Sequence, residues 1–326
     1  MKNSMAAKVI LAALWMVVFV LDTKTALRGA SDGIESCIST VIPSLLPFIF
    51  LSCLINDHMA GAEGLIPKSI TKAAGLPEGT GNILISAVLG GYPAGAQAVR
   101  SAYSNGILKK PDAERILAYC NNAGPAFIFG ITGHLFPSRS APWLLWSIHI
   151  ISAFAVRLLI GMSYETVCAD VRTSRRPADI ALHAAKIMCT ICTWVIIFKV
   201  ILTYLDAWTG SWIPPAVRTV LFGVLELVNG CCALPGVPDL RVRFVMLSGM
   251  LAFGGVCITM QTLSVAKGLS IRYYLKGKML QTVFSIIISA SLVYQRWYML
   301  TVFLVPAILF KLRHKNKGRN MVGIGV

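Results

Sequence analysis

The chain has 326 residues, 56% of them hydrophobic and 13% charged, with a mean hydropathy of +0.70. A soluble domain carries about 25% charged residues, so a soluble globular protein is excluded and an all-α, polytopic helical membrane protein is expected. The formal charge of +16 does not point to nucleic acid, because the lysines and arginines fall in short loops between apolar segments and in the tail KLRHKNKGRN (311–320). That is the positive-inside pattern, and it sets the tail against anionic lipid on the cytoplasmic face.

Taken in chain order, apolar segments near the roughly 18–20 residues a helix needs to cross a hydrocarbon core predict about eight spans: 5–21, 34–55, 116–136, 143–164, 186–205, 214–234, 279–294 and 297–312. The first follows Lys2 and has no A-x-A cleavage site, so it reads as a retained helix, not a signal peptide. Two more apolar segments, 83–99 and 244–266, contain glycine pairs and have basic residues on both flanks. Lys68 and Lys72 precede the first, and Arg100, Lys109 and Lys110 follow it; Arg241 and Arg243 precede the second, and Lys267, Arg272, Lys276 and Lys278 follow it. If both dip into the bilayer and return, every strongly basic loop and both termini lie on the cytoplasmic side. The expected organisation is a first helix and loop (1–30), a half (31–175) with re-entrant segment 83–99, a related half (176–312) with re-entrant segment 244–266, and a basic tail (313–326).

The two glycine segments align with each other. LGGYPAGAQ (89–97) and FGGVCITMQ (253–261) each have a Gly-Gly pair, five residues and a glutamine. Corresponding glycine-interrupted segments in two halves point to a transporter binding site. Four expected spans separate the dips, which makes a parallel repeat, whereas an inverted repeat wants an odd number. The sequence leaves that orientation open.

The chemistry expected of these segments follows from their backbone. Gly90, Gly91, Gly95, Gly254 and Gly255 permit close approach and unusual dihedrals, and Pro93 stops a helix. Unpaired N–H and C=O groups at mid-membrane then meet a polar solute, with Gln97 and Gln261 adding donors and acceptors and Tyr92 and Thr259 lying in the same motifs. The competing reading is a close-packing surface between helices. In AYCNNAGPAFIFG (118–130), Asn121 and Asn122 precede Gly124 and Pro125 in mid-span. Pro125 frees a carbonyl one turn earlier, making either a solute ligand or a kink whose amides bond a neighbouring helix. In GVLELVNG (223–230), Glu226 is the acidic residue deepest in any expected span, with Asn229 nearby. It would couple a proton or sodium ion, or else pair with interior Lys199 or Arg157, which would otherwise neutralise an anionic solute. There is no HExxH, GxSxG or Walker loop, and His134 and His149 lie near span ends without a carboxylate at triad or metal spacing. Cys189 and Cys192 form a CxxC inside an apolar helix without a second ligand pair, which reads as packing. No enzyme and no cofactor is expected.

The order LLPFIFLS (45–52), LGGYPAGAQ, NNAGPAFIFG (121–130), LELVNG (225–230) and FGGVCITMQ resembles the YlbJ family of sporulation integral membrane proteins, also called SpoVV, with nucleoside-recognition gate domains. The resemblance implies two gate-like halves and a place in the outer forespore membrane. It also implies movement of dipicolinic acid, a small flat dianion, toward the spore. Neither Gly-Gly segment carries an acidic residue, a departure from a nucleoside carrier, whose ribose hydroxyls favour carboxylates. A small organic anion is therefore the expected solute. A nucleoside or other neutral-solute carrier and a non-transporting scaffold of the spore envelope are the alternatives, and a homo-oligomer is left open.

Overall fold

A computed structural model describes residues 2–59, 66–160, 176–210 and 212–299. Among these residues the chain is helical without strands, and many large apolar side chains point outward, including Trp143, Ile151, Phe154, Ile197, Val283 and Ile286. A soluble surface would not carry such a belt; the chain is a helical membrane protein. On length and apolarity alone, four described helices suffice to cross a bilayer: Thr23–His58, Ala141–Leu159, Pro177–Thr209 and Leu240–Val265. The expectation of about eight spans is therefore corrected to four by this criterion, because several apolar stretches are broken into shorter pieces. The expected span 297–312 and the basic tail lie almost wholly outside the described residues.

Helix α1 (Lys2–Leu21) meets α2 (Thr23–Ser36) at Asp22, whose side chain accepts the Thr25 N–H. A π-helical turn (Cys37–Val41) links α2 to α3 (Ile42–Met59). After α4 (Lys68–Ala73) come α5 (Gly81–Ile85) and a second π turn (Ser86–Gly90). The chain then turns back through Gly91–Tyr92–Pro93 into α6 (Ala94–Ser104). Both arms run along the same part of α3: Asn82 Nδ2 donates to Asn56 Oδ1 at 2.9 Å, and Gln97 of the returning arm shares a polar pocket with Asn56 and Asp57. Segment 83–99 is thus a hairpin.

The next pieces form passages through the molecule. Helices α7 (Lys110–Cys120) and α8 (Pro125–Leu135) make one interrupted passage, with Pro125 opening α8 where its missing N–H costs nothing. Helix α9 (Ala141–Leu159) returns, and the long α10 (Pro177–Thr209) crosses again. Helices α11 (Pro215–Leu225) and α12 (Leu227–Ala233) then double back at Glu226: Thr219 Oγ1 donates to Ala233 O at 3.2 Å. The expected span 214–234 is a hairpin instead, closed by the small residues Gly223 and Gly230, which let the arms touch. Helices α13 (Leu240–Phe253) and α14 (Gly255–Val265) continue in one direction across Gly254, so segment 244–266 is a broken passage and not a dip. Helix α15 (Arg272–Val293) completes the fold.

Contacts at the two ends fix the relative orientation. At one end Arg157 of α9 donates to Lys72 O (3.3 Å) beside α4, and Ser270 N between α14 and α15 donates to Glu114 of α7 (2.8 Å). At the other end Arg243 of α13 donates to Leu135 O of α8 (3.1 Å), Arg218 of α11 pairs with Asp206 of α10, and Tyr204 donates to Asp22 O (2.6 Å). Three passages, α7–α8, α9 and α10, therefore separate the hairpins, which enter from opposite ends. In element order, α2–α3, a hairpin, a broken helix and α9 are followed by α10, a hairpin, a broken helix and α15. By element order the Gly91 turn corresponds to the Glu226 turn, and the Asn121–Gly124 break to the Gly254 break. The 89–97 and 253–261 alignment paired a hairpin with a broken helix. Arg241 and Arg243 lie at the opposite end from Lys267 and Arg272, which removes the expectation that every basic loop shares one side.

Candidate functional site: a cavity where four helix interruptions meet

The two hairpin turns and the two breaks converge. Gly91 adopts φ +74°, and a Cβ added there would lie 3.0 Å from Gly124 N, so these two interruptions touch backbone to backbone. Gly254 and Gly255 have φ of +81° and +84°, which side chains rarely adopt, and a Cβ on Gly255 would sit 3.1 Å from Gly223 O and 3.4 Å from Leu227 N. The Tyr92 hydroxyl joins the pairs by donating to Leu251 O. The breaks at Asn121 and Glu226 are extended backbone, and their polar groups take side-chain partners. Ala123 N donates to His149 Nε2 at 3.0 Å, and Ala96 N to Asn121 Oδ1 at 3.4 Å.

Between them is a small, partly open cavity. Its wall takes Tyr92 from the first turn, Gly124 from the first break, Glu226 and Leu227 from the second turn, and Ile258 and Gln261 from α14. Thr40 and Ser44, at the π turn and the start of α3, add hydroxyls opposite Ile191 and Val195 of α10. Among the lining residues the ionisable groups are Tyr92 and Glu226.

Glu226 is 2% exposed and caps α12, accepting from Val228 N (3.1 Å), Asn229 N (2.8 Å) and Asn229 Nδ2 (2.7 Å). Lys199 Nζ donates to Asn229 Oδ1 at 2.7 Å, so Asn229 bridges ammonium and carboxylate. Lys199 and Asn229 face a larger polar cavity on the far side of the hairpin, lined also by Arg28 and Arg218. The direct Glu226–Lys199 pair, one of the sequence alternatives, is replaced by this amide bridge. Arg157 is not near it; its guanidinium lies against Gly75 and Lys72 O at the end of α9.

A second polar group lies behind Tyr92. Asn121 Nδ2 donates to Thr262 Oγ1 (2.9 Å) and Asn122 Nδ2 to Tyr119 O (2.8 Å), while Gln281 Nε2 donates to Asn122 Oδ1 (3.0 Å) and His149 O (3.2 Å). Lys278 Nζ donates to Gln281 Oε1 at 2.9 Å and lies over the Tyr92 and Tyr274 rings, 5.2 and 6.0 Å from their centroids. Lys278 and His149 are each 1% exposed, which corrects their assignment to a basic flank and a span end. A signal for this group was present: Tyr274, Lys278, Gln281, Ser285 and Ser289 recur at helical spacing along α15, and all are buried.

The remaining expected residues divide. Gly90 and Gly91 form the first turn and Pro93 the N-cap of α6, whereas Gly95 serves packing, since a Cβ there would strike Cys120 O of α7. Gln261 lines the cavity and donates to Cys257 Sγ (3.4 Å), but Gln97 points away, 2.7 Å from His183 Nε2 of α10. The two glutamines therefore line different cavities. Thr259 donates to Gly255 O (3.1 Å), one turn back in its own helix α14. Among the described residues no three His, Cys, Asp or Glu side chains gather as a metal site, and Cys37 Sγ donates to Cys192 O at 3.8 Å in helix packing.

Comparison with known proteins adds one relation. No family model and no solved structure matches this chain. It is 28% identical over 174 residues to the sporulation integral membrane protein YlbJ of Bacillus subtilis (strain 168), a match covering 50% of this chain and 43% of that protein. The similarity thus spans less than half the length of that curated relative.

Proposed function

We propose that this chain is a secondary transporter or facilitator that carries a small organic anion across a membrane during sporulation, with dipicolinic acid as the solute. The observation that carries the reading is the meeting of four helix interruptions, three of which line one cavity while the fourth, at Gly254–Gly255, packs against Tyr92 and Gly223. In a bilayer such backbone is tolerated where it lines a cavity or is buried in protein, and paired interruptions in inverted halves are the architecture of alternating access. In this reading the two hairpins are re-entrant from opposite faces, and α15 and α1 add further crossings. Glu226 couples a proton or sodium ion. The similarity to the sporulation integral membrane protein YlbJ of Bacillus subtilis supports a membrane role in sporulation, and the outer forespore membrane is the compartment this role implies.

Purified protein in liposomes is expected to accumulate labelled dipicolinate, with competition by other aromatic dicarboxylates. No uptake of the diacid would overturn the reading. One observation favours a second reading, a neutral hydroxylated solute such as a nucleoside: the charged side chain on the cavity wall is a carboxylate, Glu226. Uptake of uridine that dicarboxylates do not inhibit would select it.

A further inference from the structure

We propose that Lys278 is the group that receives the acid function of the transported solute, and that the Tyr92 side chain is the shutter between it and the cavity. This rests on the transport reading and deepens it by naming the recognising residue. Three observations carry it. Lys278 is buried in mid-fold, yet its ammonium has one hydrogen bond, to a neutral amide, and no carboxylate pairs with it among the described residues. Cation–π contact with two rings offsets only part of the loss of water around a buried charge.

The surroundings are also short of acceptors. His149 Nε2 accepts the Ala123 N–H, which assigns the ring proton to Nδ1, and that buried atom has no hydrogen-bond partner. Gln281 ties the two together, its Oε1 taken by Lys278 and its Nε2 given to Asn122 Oδ1 and His149 O. The Asn122 amide group is committed to Tyr119 O. Spare donors remain on Lys278 and His149 while the nearby side-chain acceptors are occupied. The ligand that completes such a group brings oxygens and negative charge.

Tyr92 supplies the access. One side of its ring covers the Lys278 ammonium, and the same residue lines the cavity. Its hydroxyl donates to the Leu251 carbonyl, its ring belongs to the buried apolar cluster that includes Leu251 and Ile258, and Gly91 and Gly254 leave the backbone beside it without side chains. Withdrawal of the ring opens the cavity toward Lys278. Glu226 does not oppose an anion there, because its carboxylate is turned into the N–H groups of α12 and Asn229.

The test measures binding of pyridine-2,6-dicarboxylate and its neutral dicarboxamide to the purified full chain by calorimetry. Wild type is expected to prefer the diacid. Lys278→Met, close in length and apolar, should weaken the diacid about tenfold or more and leave the diamide unchanged, while Lys278→Arg retains the preference. His149→Gln, which keeps an acceptor for Ala123 N–H, should weaken the diacid in the same direction. Gel filtration and melting curves check that each variant is folded. Equal affinity of wild type for both compounds, or undiminished diacid binding by Lys278→Met, overturns the assignment. Proteoliposome uptake separates the two claims. Lys278-dependent binding without uptake defeats transport and leaves the assignment standing, whereas diacid uptake that Lys278→Met does not alter defeats the assignment and leaves transport standing.

Discussion

Glu226 offers the most quantitative test of how the cavity is built. It sits at the turn of the α11–α12 hairpin and satisfies two backbone N–H groups, of Val228 and Asn229, with one side chain. Helix α12 has 7 residues, too few to hold its own first turn. Glu226→Ala leaves both donors bare in a buried place, at about 1–3 kcal/mol each, or about 2–6 kcal/mol in all; the upper part exceeds the roughly 2 kcal/mol limit of ordinary cap deletions. Glu226→Gln keeps one acceptor oxygen and should cost about half as much. At about 2 °C per kcal/mol in a chain of this size, the alanine variant should lose on the order of 4–12 °C of apparent melting temperature. Heating the detergent-solubilised protein and measuring the monodisperse fraction by size exclusion reads this directly. An alanine variant that melts with wild type, or no lower than the glutamine variant, would refute the argument that the carboxylate holds the hairpin turn. In liposomes, Glu226→Gln should also lose any acceleration by an imposed proton gradient.

Other consequences are equally direct. Gly95→Ala drives a methyl into Cys120 O and should cost about 1–3 kcal/mol with loss of transport, whereas Gly133→Ala, with nothing within 4 Å of its Cβ, should be neutral or stabilising in melting curves. Arg243→Lys should destabilise nearly as much as Arg243→Ala, about 2–4 kcal/mol, because one ammonium cannot span Leu135 O and Val237 O as the guanidinium does. Gln261→Ala should raise the KM for uptake while Gln97→Ala leaves it unchanged, since only Gln261 lines the cavity; equal effects would contradict that division. In a cysteine-free background, cysteines placed at Glu78 and at Gly236, at the bases of the two hairpins, should react with an impermeant thiol reagent from opposite faces, and labelling from one face would remove the inverted arrangement.

Much of the site was legible because broken backbone leaves a trace in composition. Gly90–Gly91, Asn121–Asn122 with Gly124–Pro125, Glu226 and Gly254–Gly255 are poor choices for a straight apolar helix, and each marks an interruption in the fold. Whether an interruption reverses the chain was not legible. The 214–234 stretch has the length and apolarity of a span, and contacts across it, of Thr219 with Ala233 and of Gly223 with Gly230, reveal the turn. Conversely, the glycine pair at 254–255 looks like that at 90–91, yet the helix resumes in the same direction. Lys278 was misplaced for a related reason: a cation next to an apolar run is read as a flank, although α15 begins at Arg272, about two turns before the expected span, and carries it inward.

The sequence by itself determined the class of protein, the helical composition and the residues at which helices must break, because hydropathy, proline and glycine act locally on the chain. The tertiary structure decided which breaks are turns, which end of the molecule each hairpin enters from, that Glu226 answers to Asn229 before Lys199, and that Gln97 and Gln261 face different cavities. These depend on contacts between residues far apart in the chain, and no local pattern of apolar and polar residues encodes the direction a helix takes after it is interrupted.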